Sequence, residues 1–317
     1  MSRLLPKPSE TSRHSDVMMG TVVTIDIVHD PTHEGDTPGC PAPVTRAFDW
    51  FRLVEACCSR FDPASELMSL TSHIGEPVAV SPILYEALSF ALAVAAASDG
   101  AFDPTVGRRM EVAGFNRHYQ TGAAIDSRAV PTTDVTYADV HLDPSAGTVT
   151  LRRPLVLDLG AVAKGLAIDL AVRELSPLAN FCVDAGGDIY VAGTNAKGHA
   201  WSVGIRDPGG TDELIDRLHV SNRAVCTSGG YERRTPDNGG HHLLHPATGL
   251  AVDAVASVTV VAPTALMADA LATAAFVMAA DRGAEGAATW LSAQGVDGLV
   301  VSASLERHAT TGLGAWR

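Results

Sequence analysis

Basic residues are scarce in this chain: 23 Lys and Arg stand against 36 Asp and Glu, a formal net charge of −13 over 317 residues. Nucleic acid and acidic membrane surfaces have to be met by a basic patch, so neither is an expected partner. An anionic ligand would need local compensation, which a bound metal supplies. Cysteine is sparse as well. Cys40, Cys57, Cys58, Cys182 and Cys226 are odd in number, include an adjacent pair and show no CxxC spacing, so they read as reduced thiols. Long apolar runs are missing. The longest, Phe90 to Ala97, is far too short to span a bilayer. The opening MSRLLPKPSETSRHSD has neither the apolar stretch of a signal peptide nor a lipid-acceptor cysteine, and the expectation is a cytoplasmic protein without membrane insertion. Tandem repeats, low-complexity tracts, a Walker loop and a Rossmann GxGxxG are all absent from the sequence.

What is present is a globular composition. Hydrophobic content of 46% with 29 Gly and 18 Pro predicts many short elements joined by tight turns, in one large domain or two intimately joined αβ lobes. The run TVVTIDIV (21–28) alternates and predicts a strand; a Pro/Gly-rich loop, roughly His29 to Pro43, leads to a helix carrying Phe48, Phe51, Leu53 and Val54. Ser81 as N-cap and Pro82 at the first position open a helix that runs to about Ser98. Short strands follow at Val140–Leu142, Thr148–Leu151 and Leu155–Leu157, then a helix over about Val162–Leu175. Beyond Pro177 the chain is strand-rich, at Phe181–Val183, Ile189–Val191, Trp201–Ile205, Leu218–Ser221 and Ala256–Val261. An apolar helix over Ala265–Met278, a smaller one near Ala284–Ser292 and a strand at Gly298–Ser302 complete the pattern, which indicates an α+β fold.

The helix ALMADALATAAFVM (265–278) carries one carboxylate, Asp269, and one hydroxyl, Thr273, a single turn apart. A helix apolar all round is buried, and a buried carboxylate is costly unless it is paired or holds a metal. Side chains at i and i+4 share a face, so the two oxygens suit a hard cation such as magnesium. The competing reading is local: Asp269 accepting backbone N–H bonds and Thr273 bonding within its own helix.

Other polar turns carry the same ambiguity. Asp158-Leu-Gly-Ala-Val-Ala-Lys-Gly165 is a strand-to-helix turn whose amides and Lys164 could meet a phosphate, or a tight connection capped by Asp158. Gly186-Gly187-Asp188 permits either a close-lying flat ligand or a turn, and Thr227-Ser228-Gly229-Gly230-Tyr231 could embrace phosphate or reverse the chain. His241, His242 and His245 lack a zinc-ligand spacing; a histidine there suits taking a proton from a hydroxyl, and the alternative is ordinary loop histidines.

Taken in order, these segments resemble the ApbE family of FAD:protein FMN transferases. The matching stretches run from Met19-Gly-Thr21 through Ser59-Arg-Phe-Asp62 with Ser65-Glu66, Phe102-Asp-Pro-Thr-Val-Gly107 and Asp158 to Gly165 with Asp169. They continue through Gly186-Gly-Asp188, Trp201 to Pro208, Thr227-Ser-Gly229 with Tyr231, His242 with Pro246-Ala-Thr-Gly249, and Asp269 to Thr273. Each is short; their common order makes the likeness specific.

The resemblance implies a T-fold type of α+β arrangement over residues 18–305, flanked by tails 1–17 and 306–317. It implies a magnesium-dependent enzyme that splits FAD and passes FMN to a Thr or Ser hydroxyl of an acceptor protein, with release of AMP. The implied metal ligands are Asp269, Thr273 and the main-chain carbonyl of Ala161. FAD is implied to lie across Met19, Phe61, Ala101, Phe102, Asp103, Asp158 and Lys164, with Leu244 near the same site; Gly186, Gly187, Ser228 and Gly229 of the glycine-bearing turns are further candidate FAD contacts. His242 is the candidate base. Two positions depart from the family pattern: His245 stands where an acid usually precedes the proline, and Gly230 replaces the acid of the TSG-Tyr loop. Two other readings keep the same site: a magnesium-dependent FAD pyrophosphatase yielding FMN and AMP, and a non-catalytic FAD-binding or delivery protein.

Overall fold

The computed structural model describes residues 10–29, 41–127, 134–231 and 240–317. The strands are β1 (Thr11–Met18), β2 (Thr21–Val28), β3 (Val78–Ala79), β4 (Val140–Asp143), β5 (Thr148–Leu151), β6 (Phe181–Ala185) and β7 (Asp188–Ala192). They continue with β8 (Trp201–Arg206), β9 (Leu214–Val220), β10 (Arg223–Gly229), β11 (Val255–Ala262), β12 (Asp297–Ser302) and β13 (Arg307–Ala309). The helices are α1 (Ala42–Cys58), α2 (Glu66–Leu70), α3 (Pro82–Ala97), α4 (Gly107–Val112), α5 (Gly160–Leu175) and α6 (Ala265–Ala293).

The period of two in TVVTIDIV turns Val23, Ile25 and Ile27 into the core and makes β2 an inner strand of an eight-stranded sheet. Its order is β1-β2-β6-β7-β10-β11-β12-β13, antiparallel throughout. Helix α6 lies on β10, β11 and β12 and against α5, which packs in turn on α1. Side chains such as Val258 and Val260 join that helical core, while Val225, Val261, Leu299 and Val301 belong to a second cluster with Val203, Ile205, Leu218 and Val220 of the β8–β9 pair. The central strands are therefore covered on both faces, which is why β11 is buried almost without alternation. The architecture is α+β, as expected.

Several expectations are corrected. The stretch 1–17 is not wholly a tail, because Thr11–Met18 is β1, paired with β2 along its length. Nor is 306–317, where Arg307–Ala309 pairs with β12 and Thr311–Trp316 forms a 3-10 helix. Both strands lie at the sheet's edges, where polar side chains face solvent and the apolar alternation fades. Leu155–Leu157 holds a single parallel bridge, Val106 to Val156, rather than a strand. The expected loop at Thr227–Gly229 is the end of β10. The two expected helices near the C-terminus are found joined across a break at Gly283 (φ 69°, ψ 174°). Most of the Pro/Gly-rich loop after His29 and one cysteine, Cys40, lie outside the described residues; Cys57, Cys58, Cys182 and Cys226 form no disulfide.

Candidate active site

The site is organised by the crossing of α5 and α6. At Gly165 a Cβ would lie 2.6 Å from the Ala265 carbonyl oxygen and the Leu266 Cα, so glycine alone lets the start of α6 approach this closely. From the next turn of α5, the Asp169 carboxylate accepts the N–H groups of Ala265 (2.8 Å) and Leu266 (3.0 Å). These are orphan amides of a helix start. Burial raises the Asp169 carboxyl above its ordinary range, and the N–H bonds oppose the rise. The clamp brings Asp269, one turn into α6, to 3.6 Å from the Lys164 ammonium.

Asp269 is 6% exposed, and its Oδ2 is buried without a hydrogen-bond partner. Lys164 forms its close ion pair with buried Asp188 instead. One turn beyond Asp269, the Thr273 hydroxyl meets the Ser228 hydroxyl of β10 at 3.0 Å. Of the local reading, neither a hydrogen-bond donor for Asp269 Oδ2 nor a Thr273 bond confined to its own helix is found among the described residues. A carboxylate oxygen left unmet next to two hydroxyls is an oxygen donor set suited to a hard divalent cation. Among the described residues there is no group of three His, Cys, Asp or Glu placed to hold a metal.

These groups line one cleft of about 620 Å³, a size in the range for cofactor-sized ligands. Met19 and Gly186 reach it from the β1–β2 and β6–β7 turns, Phe61 from the turn after α1, and Ala101, Phe102 and Asp103 from the turn after α3. Asp158, Ala161 and Lys164 come from the start of α5, Ser228 and Gly229 from the end of β10. His242 and Leu244 precede β11, and Asp269 and Thr273 complete the wall from α6. Gly186 and Gly187 have φ of 68° and 96°, close the tight β6–β7 hairpin and are both exposed; Gly186 lines the cleft, and the Gly187 amide donates to Asp184 at 2.8 Å.

Elsewhere in the cleft the carboxylates are satisfied by the protein. Asp103 accepts from the amide (2.8 Å) and hydroxyl (2.7 Å) of Thr105 and from the amide of Tyr137 (3.0 Å); burial still raises its carboxyl above the ordinary range. Asp158 accepts from Arg60 (2.7 Å) and from the Gly160 amide (2.8 Å), so the capping role exists beside any ligand role. The three histidines separate cleanly. His241 is buried, its Nδ1 accepting the Leu243 amide (3.2 Å) and its Nε2 facing the Val252 carbonyl (3.0 Å). His245 turns to the Ala247 amide and Asp281, outside the cleft, and only His242 lines it, its ring edge-on to Phe115.

A family model described as the ApbE family matches residues 19–299. The chain belongs to the ApbE family. The FAD:protein FMN transferase of Treponema pallidum is 35% identical over 273 residues, 78% of this chain and 74% of that protein. Among solved structures, the ApbE protein of Thermotoga maritima superposes with a TM-score of 0.84 at 30% identity, covering 97% of this chain and 99% of that one. The flavin transferase ApbE from Vibrio cholerae gives a TM-score of 0.82 at 25% identity, covering 98% of this chain and 100% of that one.

Four charged residues of this ApbE-family cleft, Glu55, Arg60, Arg117 and Asp188, had no role in the sequence reading. Asp188 and Arg60 both sit inside quoted motifs, Gly186-Gly-Asp188 and Ser59-Arg-Phe-Asp62, yet each meets its partner only through the fold. The motif was the available signal; burial was not visible in it. Neither departing position, Gly230 nor His245, lines the cleft.

Proposed function

We propose that this ApbE-family chain is a FAD:protein FMN transferase, transferring FMN from FAD to a Thr or Ser hydroxyl of an acceptor protein and releasing AMP. One observation carries the reading: a buried carboxylate oxygen without a hydrogen-bond partner among the described residues, Asp269 Oδ2, in a cleft of cofactor size. Magnesium fits this donor set; Asp269, Thr273 and the Ala161 carbonyl would hold it, and when bound it neutralises charge on the pyrophosphate. Lys164 adds a positive charge on the same side of the cleft. His242 takes the proton of the acceptor hydroxyl. The acceptor oxygen bonds to the phosphorus on the flavin side of the pyrophosphate, and the bond from that phosphorus to the bridging oxygen breaks. The bridging oxygen leaves on AMP.

The test mixes the protein with FAD, magnesium and a candidate acceptor domain, and follows AMP together with flavin fluorescence that stays on the acceptor after denaturation. Labelled acceptor with stoichiometric AMP is the expected outcome. AMP without label across several acceptors would mean a pyrophosphatase, and persistently intact FAD a binding or delivery protein. In His242→Ala, transfer falls on the order of a hundredfold while FAD binding is retained; unchanged transfer removes His242 as the base.

A further inference from the structure

Arg60 is the most enclosed cation of the cleft, its side chain only 2% exposed. It stands at the junction of three segments distant in sequence. Its Nε donates to Asp158 Oδ2 at 2.7 Å, its Nη2 donates to the Phe115 carbonyl at 2.8 Å, and its guanidinium carbon lies 4.3 Å from the centroid of the Phe61 ring. Its Nη1 is buried without a hydrogen-bond partner. A buried guanidinium that leaves one nitrogen unmet is expensive to keep for stability alone, since an apolar side chain would fill the space without that cost. Each segment it ties contributes a residue to the cleft wall: Asp158, Phe115 and Phe61. Phe115 in turn packs edge-on to the His242 ring, with centroids 6.3 Å apart.

We infer that Arg60 is a positioning residue for FAD, setting Asp158, Phe61 and Phe115 from behind and cancelling the Asp158 charge that would otherwise face an anionic ligand. The inference rests on the FAD reading given above. The planar fork is essential to it: two nitrogens reach a carboxylate and a carbonyl at once while the flat face stacks on a ring, which a lysine ammonium does not reproduce. Removing the charge takes from Asp158 the guanidinium that donates to it at 2.7 Å, in a cleft that must accept a pyrophosphate. Losing the fork but keeping the charge is the milder injury.

The test compares Arg60→Gln and Arg60→Lys with the parent protein by FAD titration and by steady-state transfer, with thermal melts to establish folding. Arg60→Gln should weaken FAD binding by on the order of thirtyfold or more. Arg60→Lys should recover part of this, and its loss should fall on KM for FAD, with kcat within about threefold. In a cycle with Asp158→Asn, the double variant should bind FAD no worse than Arg60→Gln alone, because the carboxylate that Arg60 countered has been removed with it. If Arg60→Gln does not fold, Arg60→Lys and the cycle built on it decide the matter. FAD affinity equal to the parent's in folded Arg60→Lys, a loss confined to kcat, or full additivity with Asp158→Asn overturns the inference. A parent protein that binds no FAD at all would instead sink the FAD reading, and this inference with it.

Discussion

The acids of the cleft fall into two kinds. Asp103 and Asp158 have protein donors on both carboxylate oxygens, from Thr105 and Tyr137 in one case and from Gly160 and Arg60 in the other. Asp269 has an oxygen that accepts no hydrogen bond among the described residues, the Lys164 ammonium standing 3.6 Å off, although it is just as deeply buried as Asp103. The same residue type in one cleft thus serves opposite ends. A carboxylate whose lone pairs are filled by backbone and side-chain donors organises a turn, and one left short of a partner costs stability and is kept for a ligand.

Substitution should therefore separate activity from stability in opposite directions at the two sites. Asp269→Asn is expected to abolish metal-dependent transfer, a loss on the order of a thousandfold. In metal-free protein it should change the melting temperature little, because the cost of burying the carboxylate and its ion pair with Lys164 at 3.6 Å are lost together. Magnesium should raise the melting temperature of the parent protein and not of the variant. Full activity in the variant would remove Asp269 from the site. Asp103→Ala is the converse case. It strands the Tyr137 amide and undoes the Thr105 turn, for a cost of about 2 kcal/mol and a drop of several degrees in melting temperature. Its loss of kcat below the melt should be less than tenfold. A melting temperature equal to the parent's would show that Asp103 is no scaffold.

The same distinction explains what could be read in the sequence. The helix bearing Asp269 is legible because a long apolar run interrupted by a carboxylate and a hydroxyl at i and i+4 is a local pattern. The caps of α3 are equally local, with Ser81 accepting the Leu84 amide as its sequence predicts. β10 was not legible, because its exit Thr227-Ser-Gly-Gly has the composition of a loop while the burial of Ala224, Val225 and Cys226 comes from strands and a helix far along the chain. Edge strands β1 and β13 escaped for the opposite reason, since solvent on one side removes the apolar signal. Within the site, motif order identified which side chains gather. It could not tell that Lys164 reaches Asp188, or that Arg60 pairs with Asp158 98 positions away.

Asp169 tests the comparison at its finest, because it holds α6 in place without touching the chemistry. Its carboxylate meets two amides, yet burial outweighs them and pushes its carboxyl above the ordinary range. The folded chain therefore binds this proton more tightly than the unfolded chain, whose aspartates titrate near about 4. The stability linked to that proton is complete below about pH 4 and is lost as pH rises through the folded value. Asp169→Asn cannot ionise, so it should lose this downward limb and, at neutral pH, about 1 kcal/mol from the exchange of one acceptor oxygen for an amide group. Urea melts of both proteins across pH 4 to 7 give the difference directly, free of the parallel contribution from Asp103. If the parent's advantage over the variant does not change with pH, burial is not what governs the Asp169 carboxyl. The start of α6, and with it the height of Asp269 above Lys164, would then be held by the two amide bonds alone.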